Sequence, residues 1–370
     1  MGKDIKRFWR NIRYIVKMKL KIKLFLYRFF STILGKSILQ LLDFGVHVKN
    51  LGYKNNVKKF PFLVVITIDS ESGYTEKNQR RVWQIEKPEA FQGYYYGIRN
   101  LMKIFDQHNI KTTFFLSTQC FSAKGKTLQQ IKKELKNVIK KRHEIGLHSH
   151  ADSDFSIQKK LSRKFKATSA FFYNYEEKLR IIKSGIELVK INLGKDVHKN
   201  LISFRWGNWA LDSGGAKALN KMGFKIDSSA IPGIKGHTYD TMKHDWSKVS
   251  RHYPWRLSIT NYQSTGHNNS KIMEIPIATF DFFGFKLRAD PVNSTLVNKA
   301  FAEYYKKADR SKQPFPFVVL THSCEATTKD GGKTQALKDL EEFIVFAKKY
   351  DGVEFVTMRE AHQRLKTSAS

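Results

Sequence analysis

An α/β barrel is the fold class this sequence predicts, on three observations. From Phe60 onward, short apolar runs rich in β-branched residues alternate with helix-patterned segments. Seven or eight such runs spread over about 310 residues, the scale of one α/β barrel. Just past the ends of those runs stand carboxylates, imidazoles and an arginine, and barrels of this class carry their chemistry at the C-terminal ends of their strands.

The elements follow in order. FPFLVVITID (60–69) is an apolar run suited to a buried strand. Residues 92–109 read as a helix, and KTTFFLST (111–118) as a second strand. A charged helix pattern covers 127–142, before the strand EIGLHSH (144–150). Residues 168–193 read as helical, 201–207 as a strand, 212–223 as a helix and 224–229 as a strand. KIMEIPIA (271–278) and FPFVVLTHS (315–323) add two strands around a helix at 292–308. A helix at 334–350 leads to the last strand, VEFVTM (353–358). The domain reading is a basic segment over 1–59, a catalytic domain over 60–362 and a tail over 363–370.

Composition narrows the classes. With 41% hydrophobic residues and 28 Phe, the chain can bury a core, which excludes global disorder. Eight Pro and no low-complexity tract argue against long linkers. Two cysteines, Cys120 and Cys324, make no disulfide framework. The net charge of +33 implies a polyanionic partner: nucleic acid, an anionic membrane surface or an acidic saccharide.

Part of that charge is concentrated at the start. Residues 1–60 hold 15 Lys and Arg against two acids. Over 1–48, Phe8, Trp9, Tyr14, Phe25, Tyr27, Phe29 and Phe30 are interleaved with cations. No stretch reaches the ~20 apolar residues of a spanning helix, and no clear signal-peptide core or cleavage site is visible. The pattern fits a helix lying on an anionic leaflet, or a helix packed on the domain with a solvated basic face. The expected location is cytoplasmic, peripheral on the inner face of the membrane. No nucleic-acid motif is present, so no nucleic-acid partner is expected.

Five polar elements carry the chemistry. In TIDSES (67–72), Asp69 and Glu71 stand two residues apart, either a base and a metal ligand or the polar groups of a turn. In EIGLHSHADSDF (144–155), His148, His150 and Asp152 follow a strand at period two, a donor set suited to Zn²⁺ and similar ions. In SFRWGNWALD (203–212), Arg205 could clamp a catalytic carboxylate, while Trp206 and Trp209 stack on a sugar ring or pack in the core. Asp227 ends the strand FKIDSS, and His322 ends VVLTHSCEA, where an imidazole suits a general acid.

In this order the elements resemble the polysaccharide deacetylases of the NodB homology class, carbohydrate esterase family 4, over about residues 60–360. TIDSE looks like the first motif of that class, HSHAD (148–152) the second, RWGNW (205–209) the third, DSS (227–229) the fourth and LTHS (320–323) the fifth. Longer phrases, EIGLHSHA and FRWGNWALD among them, resemble deacetylase-like proteins of lipopolysaccharide and O-antigen biosynthesis. Three departures stand out. The usual Asp-Asp is Asp69-Ser70 with Glu71 next, the second His of motif two falls on Asp152, and motif three lacks its Pro.

The resemblance implies a distorted (β/α)7-type barrel. It also implies a hydrolase of non-peptide amide bonds that N-deacetylates an amino sugar of a surface polysaccharide, lipopolysaccharide or its lipid-linked precursor. The roles it implies are Asp69 as base, His322 as acid, Arg205 fixing Asp69, and Asp227 orienting His322. The metal, Zn²⁺ first with Co²⁺ or Ni²⁺ possible, would be held by Glu71, His148 and either His150 or Asp152. Trp206 and Trp209 would contact the sugar. Two rivals are an inactive relative that binds saccharide or scaffolds glycan assembly, and a basic nucleic-acid binder.

Overall fold

A computed structural model describes residues 60–83, 90–150, 170–238, 241–266, 269–282, 284–291, 294–311 and 313–367. The basic segment 1–59 and the candidate ligand Asp152 lie outside the described residues.

The framework is one curled sheet. Its strands are β1 (Phe62–Ser70), β2 (Thr113–Ser117), β3 (Glu144–Ser149), β4 (Ser203–Trp206) and β5 (Ile226–Asp227). They continue with β6 (Trp255–Arg256), β7 (Met273–Glu274), β8 (Phe315–His322) and β9 (Val353–Phe355). The spatial order is β6-β7-β5-β4-β3-β2-β1-β8, with β9 on β1 beside β2. Seven strands, all but β6 and β9, run parallel round the curl; β9 is parallel too, and β6 is an antiparallel edge. This is the distorted barrel the sequence predicts.

All nine residues of β1 are buried, as a central parallel strand requires. Its alternate side chains feed two cores. Phe62, Val64, Ile66 and Ile68 pack with apolar residues of helices α1 (Ile98–Gln107) and α2 (Gly125–Lys140). Leu63 and Val65 join a second core with residues of α3 (Tyr175–Leu193) and α4 (Ser213–Lys221). Helices α5 (Ser294–Ala308) and α6 (Gln335–Ala347) add to the first core, and α7 (Met358–Thr367) to the second.

Caps place several helix starts. Asn174 and Glu177 close a reciprocal capping box at the head of α3, so that helix begins at Tyr175 and not at 168. Asp212 accepts a 2.7 Å hydrogen bond from the Gly215 N–H at the head of α4. The last helix runs past 362 to Thr367, because Leu365 is buried at 3% exposure.

The closing side of the barrel departs from the sequence reading. The runs 224–229 and 271–278 form strands of only two residues, Ile226–Asp227 and Met273–Glu274. Beyond them the chain leaves regular pairing and divides its backbone bonds. Ile277 N–H donates to Ala230 O at 2.9 Å, and Ala278 N–H donates to Val318 O in β8 at 3.0 Å. Single hydrogen bonds, not a ladder, therefore bridge β5 and β8. Two hairpins, 235–245 and 279–288, form in a stretch where no apolar period announced them.

Register sets the site. Asp69 pairs with His322 across β1 and β8, Ser117 with His148 across β2 and β3, and His148 with Arg205 across β3 and β4. Parallel pairing brings all these C-terminal strand ends to one mouth.

Candidate active site and metal centre

Asp69 ends a fully buried strand at 2% exposure. Its Oδ1 accepts a 2.7 Å bond from Arg205, itself fully buried. The guanidinium also donates to Thr67 Oγ1 at 3.0 Å, to Ser228 O at 2.8 Å and to Ser228 Oγ at 3.0 Å. Its plane lies over the Phe115 ring, 4.3 Å from the centroid. Arg205 is thus locked on four sides, and it locks one oxygen of Asp69. The other, Oδ2, stands 3.8 Å from His148 Nε2.

His148 also belongs to a cluster of three candidate metal ligands. Glu71 Oε1 lies 2.9 Å from His148 Nε2 and 2.8 Å from His150 Nε2. The ligand atoms of the three residues fall within 4.8 Å of one another, the one such group among the described residues. His148 Nδ1 faces the Arg205 carbonyl at 3.1 Å. A carbonyl only accepts, so Nδ1 donates to it, and the ring is fixed with Nε2 aimed into the cluster. Burial pushes Glu71 towards its neutral form, but His150 and His148 outweigh it and hold the carboxyl well below its usual range. Two imidazole nitrogens and an ionised carboxylate, with the His148 ring fixed from behind, match a three-ligand catalytic site for a divalent metal. The residues present therefore fit the metal the sequence calls for, with His150 in the cluster and Asp152 outside the described residues.

His150 reaches this position because Gly207 has no side chain. A Cβ there would lie 2.7 Å from His150 Cγ and Nδ1. The RWG step thus supplies both the clamp on Asp69 and the space for a ligand.

His322 faces the cluster from β8. Its Nδ1 lies 3.1 Å from Glu325 Oε1, and its backbone N–H donates to Glu325 Oε2 at 3.0 Å. Arg81 pairs with the same carboxylate, and Thr321 Oγ1 donates to it at 3.1 Å. Burial lowers the His322 pKa, but Glu325, then Glu71 and Asp69, outweigh it and raise the value to about 9. Burial likewise pushes Glu325 up, yet Arg81 and His322 bring it down to about 2. His322 is therefore protonated at neutral pH, the state a general acid needs. Activity that needs this proton is retained below about pH 9 and lost as the pH rises through it. Glu325→Gln keeps the shape and removes the charge. The alkaline limb of kcat/KM is expected to move down towards the ordinary histidine value near 6.5, as a pH–rate profile would show.

The assignment of Asp227 is corrected. Its Oδ1 accepts from Ser229 Oγ at 2.9 Å and its Oδ2 from Ser229 N–H at 3.2 Å, while Glu325 holds the His322 ring. Asp227 shares a buried pocket with Glu274. Burial raises both carboxyls, and the Asp227 charge raises Glu274 further, against the restraining charge of Arg205.

The reading of Trp206 as a sugar contact is corrected as well. Trp206 is fully buried within the second core, where no sugar reaches it. One face of the Trp209 ring is covered by Arg288, 3.8 Å from its centroid. The aromatic at the mouth is Trp83, 39% exposed and edge-on to His322 with 5.2 Å between centroids. Arg81 lies 5.7 Å from that same ring.

A π-helical turn, Gly93–Gly97, braces the site from behind. At Gly97 a Cβ would lie 2.0 Å from Ser323 O, next to His322. That neighbour is backbone and cannot swing away. Gly97→Ala is expected to lower stability by about 1–3 kcal/mol or more and to depress kcat, as chemical denaturation and turnover measurements would show.

No family model matches the chain, and no curated protein does. Solved structures do. One is a Mycobacterium smegmatis protein assigned as a polysaccharide deacetylase, with a TM-score of 0.54 and 15% identity over 85% of this chain and 93% of that one. A second is assigned as a glycoside hydrolase/deacetylase from Parabacteroides distasonis, with a TM-score of 0.59 and 13% identity over 84% and 72%.

The fold is shared with polysaccharide deacetylases.

A Puue allantoinase has it too, with a TM-score of 0.51 and 12% identity over 83% and 90%. The fold therefore leaves the chemistry to the site. No helix among the described residues is long and apolar enough to cross a membrane.

Proposed function

We propose that the chain is a metal-dependent hydrolase that removes the N-acyl group, acetyl first, from an amino sugar of a surface polysaccharide, lipopolysaccharide or lipid-linked precursor. The observation that carries this reading is the convergence of Arg205-clamped Asp69, the Glu71–His148–His150 donor set and protonated His322 at one barrel mouth.

When bound by Glu71, His148 and His150, a divalent ion supplies Lewis acidity to the substrate carbonyl and lowers the pKa of a water. Asp69 takes the proton of the attacking water on Oδ2, the oxygen Arg205 leaves free. Arg205 keeps that carboxylate from turning away. His322 gives its proton to the departing amine, and Glu325 holds the ring so that Nε2 is the donating atom. Trp83 offers its exposed face to the sugar beside His322. The products are a free amino sugar and a carboxylate, acetate or formate.

Zn²⁺ is the ion this N₂O set favours, with Co²⁺ and Ni²⁺ as alternatives. The basic aromatic segment 1–48 would hold the enzyme on an anionic leaflet at the cytoplasmic face, within reach of a lipid-linked sugar. The test is a panel of N-acetylated and N-formylated amino sugars, free and lipid-linked, with allantoin as the alternative amide. Release of acetate or formate by the metal-loaded chain supports the reading. Hydrolysis of allantoin alone, or of nothing, refutes it.

A further inference from the structure

The opposite end of the barrel carries a second feature, formed where strands begin. A cavity of about 290 Å³ is lined by Arg256, Lys271, Ile272, Met273, His362, Leu365 and Lys366. A neighbouring cavity of about 300 Å³ shares Lys271 and adds Lys225, Asn220 and Ser270. No acid lines either one. A third cavity at this end, near Arg142 and Arg359, contrasts with them because it mixes those cations with Glu144, Asp196 and Glu360.

The cations are uncompensated. Among the described residues none of Lys225, Arg256, Lys271 and Lys366 has a carboxylate within ion-pair distance. Arg256 meets only the Ser270 carbonyl, at 3.5 Å. The fold holds these charges together: Lys225 precedes β5, Lys271 precedes β7, Arg256 pairs with Met273 across β6 and β7, and Lys366 projects from α7.

A second, independent observation lies between them. His362 on α7 is only 5% exposed, and its Nε2 is buried with no hydrogen-bond partner. A buried imidazole nitrogen without a partner carries an uncompensated desolvation cost. An apolar residue would serve better there if packing were the only demand. Burial first, then the charges of Lys366 and Lys225, lower the His362 pKa to about 4, so the ring is neutral and the cations around it repel any added proton.

We infer that this groove binds a phosphate-type anion, a phosphate monoester or diester, between Arg256, Lys271 and Lys366, with Lys225 in the adjoining cavity beside it. Several oxygens and more than one negative charge suit four cations better than a single carboxylate does. The guanidinium fork matches phosphate geometry, and the lysines supply point charges. Loading this site neutralises a cluster of cations without carboxylate partners, lined by none of the Asp69, Glu71 or His322 side chains. The inference does not rest on the hydrolase reading.

The test titrates the full chain with inorganic phosphate, by calorimetry, in a buffer free of phosphate. Saturable binding is expected, weakened at least tenfold in Lys271→Gln/Lys366→Gln, while melting temperature and turnover match the parent. The source is separated by sedimentation with phosphatidylcholine vesicles, with and without phosphatidylglycerol. A deficit of the double variant only on anionic vesicles assigns the site to lipid headgroups; a deficit only with free phosphate assigns it to a soluble ester. If the double variant equals the parent in both arms, or the parent binds neither probe, the inference is overturned.

Discussion

Asp69→Asn is expected to lower kcat by about 10²–10⁴-fold while the metal content stays that of the parent. The amide keeps an oxygen for Arg205 at its present 2.7 Å contact, so the strand end has no reason to move. It cannot accept the proton of the attacking water. Metal content and turnover on one preparation distinguish the two roles of the TIDSES acids. Loss of the ion in this variant would make Asp69 a ligand, and near-parent turnover would remove it from the reaction.

Arg205→Met is expected to produce the largest loss of stability, about 3–5 kcal/mol, the scale for removing one partner of a buried ion pair. The guanidinium is fully buried and faces Asp69 directly. It is also one of the charges restraining the pKa values of Asp227 and Glu274, which burial has already raised. Without it both rise further. A carboxyl whose folded pKa is raised favours the folded state at low pH and loses that contribution as the pH rises. The stability deficit should therefore be smaller near pH 5 than near pH 8. Denaturant unfolding of parent and variant at the two pH values reads this directly, and a deficit independent of pH would mean that packing, not charge, dominates.

What the sequence discloses follows from what its patterns encode. Phe62–Ser70 and Phe315–His322 are long apolar runs, and buried parallel strands need nothing else, so both strands and the polar residues ending them were legible. The closing side was not. Its strands at 226–227 and 273–274 are too short to leave a period, and Glu274 sits inside a run that reads as apolar. Asp69, Glu71, His148, His150, Arg205 and His322 were found because they share motif positions, and the structure brings them together at one mouth. Glu325 was missed because its partner is local: a 3₁₀ turn after β8 folds it back on His322, and the text HSCEA shows no periodicity that would say so. Trp83 and Arg81 were missed for a related reason. They come from a loop and a short hairpin whose place at the mouth is set by tertiary packing alone. Trp206 stood open between sugar stacking and packing: at a strand end a tryptophan can face either layer, and here it faces the core.

The central claim is that Glu71, His148 and His150 hold a catalytic divalent ion. Elemental analysis of the purified chain and of His148→Ala, after identical reconstitution with Zn²⁺, Co²⁺ or Ni²⁺, tests it most directly. About one ion per chain in the parent and little in the variant is the expected result. A parent that retains no metal, or a variant that retains as much as the parent, would contradict the account.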